Sequence, residues 1–242
     1  MARYFDGSDA MQGGTQITDE PLTIACWFRA ENITGTHGLV CVGDLPNTNG
    51  GWGLEAAGNV AGDPLRCYSI QGVSQRVADT STSFSANTWH HACGVFSADD
   101  ARAVYLDGGG KGTGSDSRTV GTPVSTEIGY VEFFGGILGK VAHVAVWNVA
   151  LNDAEVALLA KRVSPLIVRP NALVNYWPLT RMDLDVMAGD DLSNYYGTSS
   201  FTDGINIARP APPLMEYAKL SPGDYVQLTL NSRSTALTLE SR

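Results

Sequence analysis

Charge is scarce in this chain of 242 residues: only 17% are Asp, Glu, Lys or Arg, and the 16 basic residues are outnumbered by 25 acidic ones, a formal net charge of −9. No broad basic surface exists to release counterions from a phosphate backbone, which excludes nucleic acid as a partner. No uninterrupted apolar run approaches the roughly 18 residues that a membrane span needs. Residues 1–7, Met-Ala-Arg-Tyr-Phe-Asp-Gly, carry neither the apolar stretch nor the cleavage site of a secretory signal, so the expectation is a protein made in a cytoplasm and remaining soluble there. The four cysteines, Cys26, Cys41, Cys67 and Cys93, show no CxxC spacing and exclude a zinc site of the usual kind. Each lies in a strand-like run (23–28, 39–42, 65–70, 92–96) and reads as a small buried thiol in a reducing compartment, with two disulfides as the open alternative.

Catalytic signatures are missing too. There is no Glu-x-Asp-x-Glu run to set two carboxylates across a glycosidase cleft, and Glu127 and Glu132, five apart, point to opposite faces of an extended strand. No Gly-x-Ser-x-Gly elbow, His-Glu-x-x-His or P-loop lysine occurs. Gly112-Thr113-Gly114-Ser115-Asp116-Ser117 lacks strand–helix surroundings and reads as a flexible loop. The expectation is a protein that is not an enzyme.

What is abundant is glycine, 27 residues, placed between short runs rich in Val, Ile, Thr, Tyr, Phe and Trp. That punctuation predicts strands over 2–5, 22–30, 38–43, 52–56, 65–71, 75–79, 89–96, 101–106, 126–130, 139–147 and 173–179. Turn signals about every ten residues favour an all-β sandwich or jelly roll. One short helix interrupts it, starting at Asn152 with Glu155 three residues on, carrying Lys161 and Arg162 at its far end, burying Val156 and Leu159, and halted by Pro165. Asp107-Gly108 is a hairpin turn, since both residues tolerate positive φ. Trp89 reads as core. His90 and His91, adjacent in a strand, face opposite sides and cannot ligate one metal together. In 140–147, strict alternation groups Ala142, Val144 and Val146 on one face and Val141, His143, Ala145 and Trp147 on the other; this second face requires cover by the helix, the C-terminal arm or a partner.

Composition shifts at Arg209-Pro210-Ala211-Pro212-Pro213, where three prolines bar a sheet interior. Two domains are expected: a sandwich over 1–208, and a proline-rich linker and C-terminal β-hairpin arm over 209–242. A lone hairpin is marginal in water, so the arm must dock on its own sandwich or on a neighbouring copy.

Three stretches together resemble the laminin-G-like, concanavalin-A-like jelly-roll family. They are Leu22-Thr23-Ile24-Ala25-Cys26-Trp27-Phe28-Arg29; Trp89-His90-His91 leading through Tyr105-Leu106-Asp107-Gly108; and residues 134–151 with the helix that follows. The resemblance implies a laminin-G-like jelly-roll β-sandwich. It also shows Asn175-Tyr176-Trp177-Pro178-Leu179 at the back of the chain where the family places it at the front, an order that looks circularly permuted. Relatives of this kind bind calcium with loop oxygens, which makes Asp6, Asp9 and Asp44 the metal candidates here, with Asp99 and Asp100 next. Glycan binding in such a family implies a sugar stacked on Trp52, with Asn47 and Asn49 fixing hydroxyls. The chain also resembles laminin-G-like proteins of tailed-bacteriophage virions, assembled in the host cytoplasm. On that likeness the leading expectation is a virion component such as a capsid decoration protein, joined to other virion proteins or to copies of itself through the arm. The alternative is a glycan-binding adhesin or lectin-like module of a tail or fibre.

Overall fold

The computed structural model describes residues 2–44, 50–131, 135–179, 185–187, 190–197 and 200–207. The chain divides into two units, Met1–Pro210 and Ala211–Arg242. The second unit, and with it the hairpin expected in the arm, lies outside the described residues.

The first unit is a two-sheet sandwich, with strands numbered in chain order. One sheet runs β10 (Gly109–Gly114), β9 (Ala101–Leu106), β8 (His90–Ala98), β3 (Leu22–Ala30), β14 (Leu138–Trp147), β1 (Ala2–Asp6) and β17 (Ser200–Thr202). The other runs β16 (Ser193–Tyr196), β2 (Ala10–Gly14), β11 (Ser125–Ile128), β4 (Thr36–Asp44), β5 (Gly50–Ala57), β6 (Pro64–Gln71) and β7 (Ser74–Ser83), with the two-residue strands β12 (Tyr130–Val131) and β13 (Gly135–Gly136) beside β4. β3 pairs with β14 along its whole length, so β1 and β15 (Leu173–Trp177) share the other edge of β14 end to end: Phe5 faces Gly139, and Trp177 faces Val144.

Between the sheets, Phe5, Phe28, Phe96, Trp52 and Trp177 are fully buried with Val40, Leu54, Val144 and Val146. Side chains of this size each contribute about 1.5–3 kcal/mol by leaving water, so the core stability rests on alternate residues of both sheets. All four cysteines are free and buried, as expected of small core thiols.

Three local expectations need correction. Strict alternation in β14 fails at His143, whose φ of +53° marks a bulge where the register with β3 shifts. Val141 therefore joins Val144 and Val146 in the core, while Ala142, Ala145 and Trp147 face outward. The segment expected to be a flexible glycine loop begins in the edge strand β10; a Cβ at Gly112 would collide with the Asp79 carbonyl of β7, so glycine lets the two sheet edges close. Helix α1 (Asp153–Ala160) has the expected reciprocal cap between Asn152 and Glu155 and buries Val156 and Leu159. Pro165, however, does not end it. The helix stops at Arg162, left-handed at φ +66°, where Val163 donates its N–H back to Leu158 O; Pro165 opens a separate 3-10 turn, Pro165–Ile167.

Candidate functional site

The outward face of the first sheet carries an aromatic cleft. Trp27 of β3 and His91 of β8 are direct cross-strand partners, with ring centroids 5.3 Å apart at 62°, edge to face. The bulge swings His143 into the same row. Its Nε2 lies 3.3 Å from Ile205 O, which can only accept, so Nε2 carries the proton and Nδ1 accepts from the Tyr176 hydroxyl at 2.9 Å. Leu159 of α1, Val163, Pro165 and Ile207 complete the walls, around a cavity of about 10 Å³. That is room for one water.

Within this cleft His91 is anomalous. Its backbone N–H donates to Asp107 Oδ1 at 2.7 Å, but its ring Nδ1 is buried with no hydrogen-bond partner. Burial pulls the imidazole down to about 4, so the ring is neutral at physiological pH. At the rim, exposed Arg162 holds its guanidinium carbon 6.0 Å above the Trp27 ring. Trp89 is half-buried against the same outer cluster of Trp27 and Ala142 rather than in the central core expected for it.

A second polar feature crosses the outer face of the other sheet. Gln12, Glu127, Cys41, Gly53 and Tyr68 stand in cross-strand register on five neighbouring strands. Gly53 is required there because a Cβ would overlap the Tyr68 ring. Gln12 Nε2 donates to Glu127 at 3.3 Å. In the next row Arg66 grips Asp79 with two bonds of 2.6 and 2.8 Å and reaches Glu55 at 3.4 Å. Burial pushes the Glu55 carboxyl up to about 7 even though Arg66 pulls it the other way. Glu55, Glu127 and Tyr68 are buried, while Gln12, Arg66 and Asp79 remain partly open.

Ser85, His90 and Asp107 have the connectivity of a nucleophile triad: His90 Nδ1 is 2.7 Å from Asp107 Oδ2, and Nε2 is 3.1 Å from Ser85 Oγ. The same Nε2 accepts the Ser85 backbone N–H at 3.0 Å. With its lone pair already engaged, the imidazole is no base for the hydroxyl, and the trio pins the turn ahead of β8. As expected, the two histidines face opposite ways, His90 toward Phe28 and His91 toward Trp27.

The site residues expected from the sequence fare as follows. Trp52 is 0% exposed in the central core, its indole N–H donating to Glu20 at 2.6 Å, so it cannot serve as a stacking platform for a sugar. Asn47 and Asn49 lie outside the described residues. Asp6 and Asp9 share the β1–β2 turn, where Asp6 N–H donates to Asp9 at 3.3 Å and the Asp6 carboxylate accepts from Ser8. Asp44 follows Gly43, which is level with Gly14 at the far end of β2, about 17 Å from Asp9 at 3.4 Å per residue. One calcium ion therefore cannot join all three. The Asp99 carboxylate accepts from Ser117 and Thr119 at 3.2 Å each. Among the described residues no group of three or more His, Cys, Asp or Glu is placed to hold a metal ion. Trp27, His143 and Arg162 were noted in the sequence for their strand, face and helix end but not as site residues; the strand pairing and the bulge bring them together.

Two antiparallel sheets stacked with one capped helix on an outer face define a lectin-type jelly-roll sandwich. The chain belongs to the concanavalin A-like lectin/glucanases superfamily, whose laminin-G pattern matches residues 5–157. The fold is similar to that of the native heptameric SAP-like pentraxin from Limulus polyphemus, with a TM-score of 0.55, 14% identity, and coverage of 83% of this chain and 94% of that one. It is also similar to domain 4 of AbnA, an extracellular arabinanase from Geobacillus stearothermophilus solved with arabinotriose, with a TM-score of 0.53, 18% identity, and coverage of 66% of this chain and 76% of that one. No curated protein sequence matches the chain.

Proposed function

We propose that the chain is a carbohydrate-binding module that holds glycans without cleaving them. The observation that carries this reading is the outer face around Trp27: half-buried Trp89 beside it and the exposed Arg162 guanidinium 6.0 Å above its ring, gathered on a lectin-type scaffold. Carbohydrate sites combine this kind of apolar wall with a few placed polar groups. The arabinotriose complex of the arabinanase domain supports the same reading by analogy of fold.

The test is a glycan array probed with the full chain, followed by incubation of each retained glycan with the protein and chromatography of the products. Retention without cleavage is expected; no retained glycan, or shortened products, overturns the reading. The alternative of a virion component draws on residues 209–242, beyond the described residues. It predicts that the native mass falls from that of an oligomer to that of a single chain when those residues are deleted.

A further inference from the structure

We infer that the open row on the outer face of the first sheet, Trp89, Arg29, Lys140 and Tyr4, binds an acidic oligosaccharide, the anionic group of one sugar bridging Arg29 and Lys140. The inference rests on the carbohydrate-binding reading above and gives it a place and a ligand class.

The row follows from the strand register. Lys140 of β14 is the direct cross-strand partner of Arg29 on β3 and, on its other side, of Tyr4 on β1. His90 pairs with Phe28, so Trp89, one residue earlier, stands level with Arg29. Phe5, Phe28 and Val141 point into the core, which turns their neighbours Tyr4, Arg29 and Lys140 outward, and Trp89 packs in the outward cluster around Trp27. All four side chains are partly exposed, and four adjacent strands carry them across about 14 Å, long enough for a short oligosaccharide. One row further in, Trp27 and Ala142 are buried with Ile205 and Ile207, so the open row is a shelf beside a covered wall.

Arg29 and Lys140 are like charges placed directly opposite each other, an arrangement that destabilises a sheet. Their heads turn to neutral acceptors. Arg29 donates to the Asn87 carbonyl at 2.9 Å and to its side chain at 3.2 Å, and Lys140 donates to the Thr202 hydroxyl at 3.0 Å and the Asp203 carbonyl at 3.5 Å. The carboxylates of the next row belong to Glu31, whose N–H donates to Leu138 O, and Asp6, which faces Leu138. Neither carboxylate forms an ion pair with Arg29 or Lys140, and among the described residues both cations are left without an acidic partner. Arg162, over the Trp27 ring, forms no ion pair either. In a chain with a net charge of −9, three unmatched cations beside two indoles make a local site for the opposite charge. An anion seated between Arg29 and Lys140 replaces their repulsion with two charge-assisted hydrogen bonds. Trp89 and Tyr4, at the ends of the row, offer aromatic surface to the faces of the sugars on either side.

The experiment titrates the full chain with trigalacturonate and with a sulfated galactotriose, each beside its uncharged counterpart, the methyl-esterified trimer and galactotriose, followed by tryptophan fluorescence and calorimetry. At least one acidic trimer is expected to bind about tenfold or more tighter than its uncharged counterpart, with affinity falling as salt rises, and the trimer that does so tells carboxylate from sulfate. Lys140→Glu sets an opposite charge across from Arg29, so its melting temperature at low salt should hold or rise while affinity for the acidic trimer falls about tenfold or more. Lys140→Gln keeps a donor for Thr202 and should lose most of the preference for the acidic trimer with the fold intact. Equal binding of acidic and uncharged trimers, or undiminished acidic binding by both Lys140 variants, overturns the inference. If the array retains neutral glycans only, the acidic-ligand assignment fails while the carbohydrate reading stands. If no glycan is retained, both fail.

Discussion

Asp107 binds both neighbouring histidines at once: one carboxylate oxygen lies 2.7 Å from the His90 ring, and the other accepts the His91 backbone N–H at 2.7 Å. The residue sits at φ +54° in the turn that joins β9 to β10, so a single side chain locks the hairpin to the strand ahead of it. Asp107→Ala should lose both bonds and strain the turn, costing about 2–3 kcal/mol in urea unfolding. Asp107→Asn tolerates the same backbone angle and can keep one acceptor, and should cost less than half as much.

His91 makes stability depend on acid. Its pKa is about 4 folded against an ordinary 6.5, so below the ordinary value the unfolded chain gains a proton that the folded one refuses. Stability attributable to this group is complete above pH 6.5 and is lost progressively down to about pH 4, on the order of 3 kcal/mol in all. His91→Phe should flatten that part of the profile. Melting temperatures of parent and variant compared at pH 4.5 and 7.5 check it: an unchanged difference between the two pH values would contradict a neutral, buried imidazole.

Glu55 acts in the opposite sense. With its carboxyl raised to about 7, the folded state keeps a proton that the unfolded chain releases above about 4.5, so stability falls as pH rises through that window. Glu55→Gln removes the penalty and keeps an oxygen for Arg66, which retains its two bonds to Asp79. The variant should melt at least as high as the parent at pH 8 and show no advantage at pH 4, measured by calorimetry at both.

Much of the sandwich was legible in the sequence because its signals are local. β3 and β9 fall within the bounds that alternation and turn residues predict, and the Asn152–Glu155 cap needs only four residues to state. The glycine-rich strands β2 and β10 were missed for the same reason: Ala10–Gly14 and Gly109–Gly114 lack β-branched residues and are held by neighbours rather than by propensity. The bulge at His143 left no mark, since a left-handed histidine looks like any other residue in a run of Val and Ala. The cleft depends on that bulge and on the pairing of Trp27 with His91, 64 residues apart in the chain, so it appears only once the strands are in register.

Trp52 separates the sugar platform expected from the sequence from the one proposed here on the outer face of the first sheet. Its indole is enclosed between the sheets, and its N–H meets Glu20, a half-buried carboxylate raised in pKa by burial. Trp52→Phe leaves a small cavity and deprives Glu20 of its donor, two losses that together should cost about 2–3 kcal/mol in unfolding free energy. Because the side chain never meets solvent, affinity for any retained glycan should match that of the parent at temperatures where the variant stays folded. Arg162→Gly should show the reverse pattern, undiminished stability with weaker binding. Measuring both variants for melting and for glycan affinity therefore tells a core tryptophan from a rim arginine, and a Trp52→Phe protein that folds well yet loses sugar would return the platform to the β4–β5 end of the sandwich.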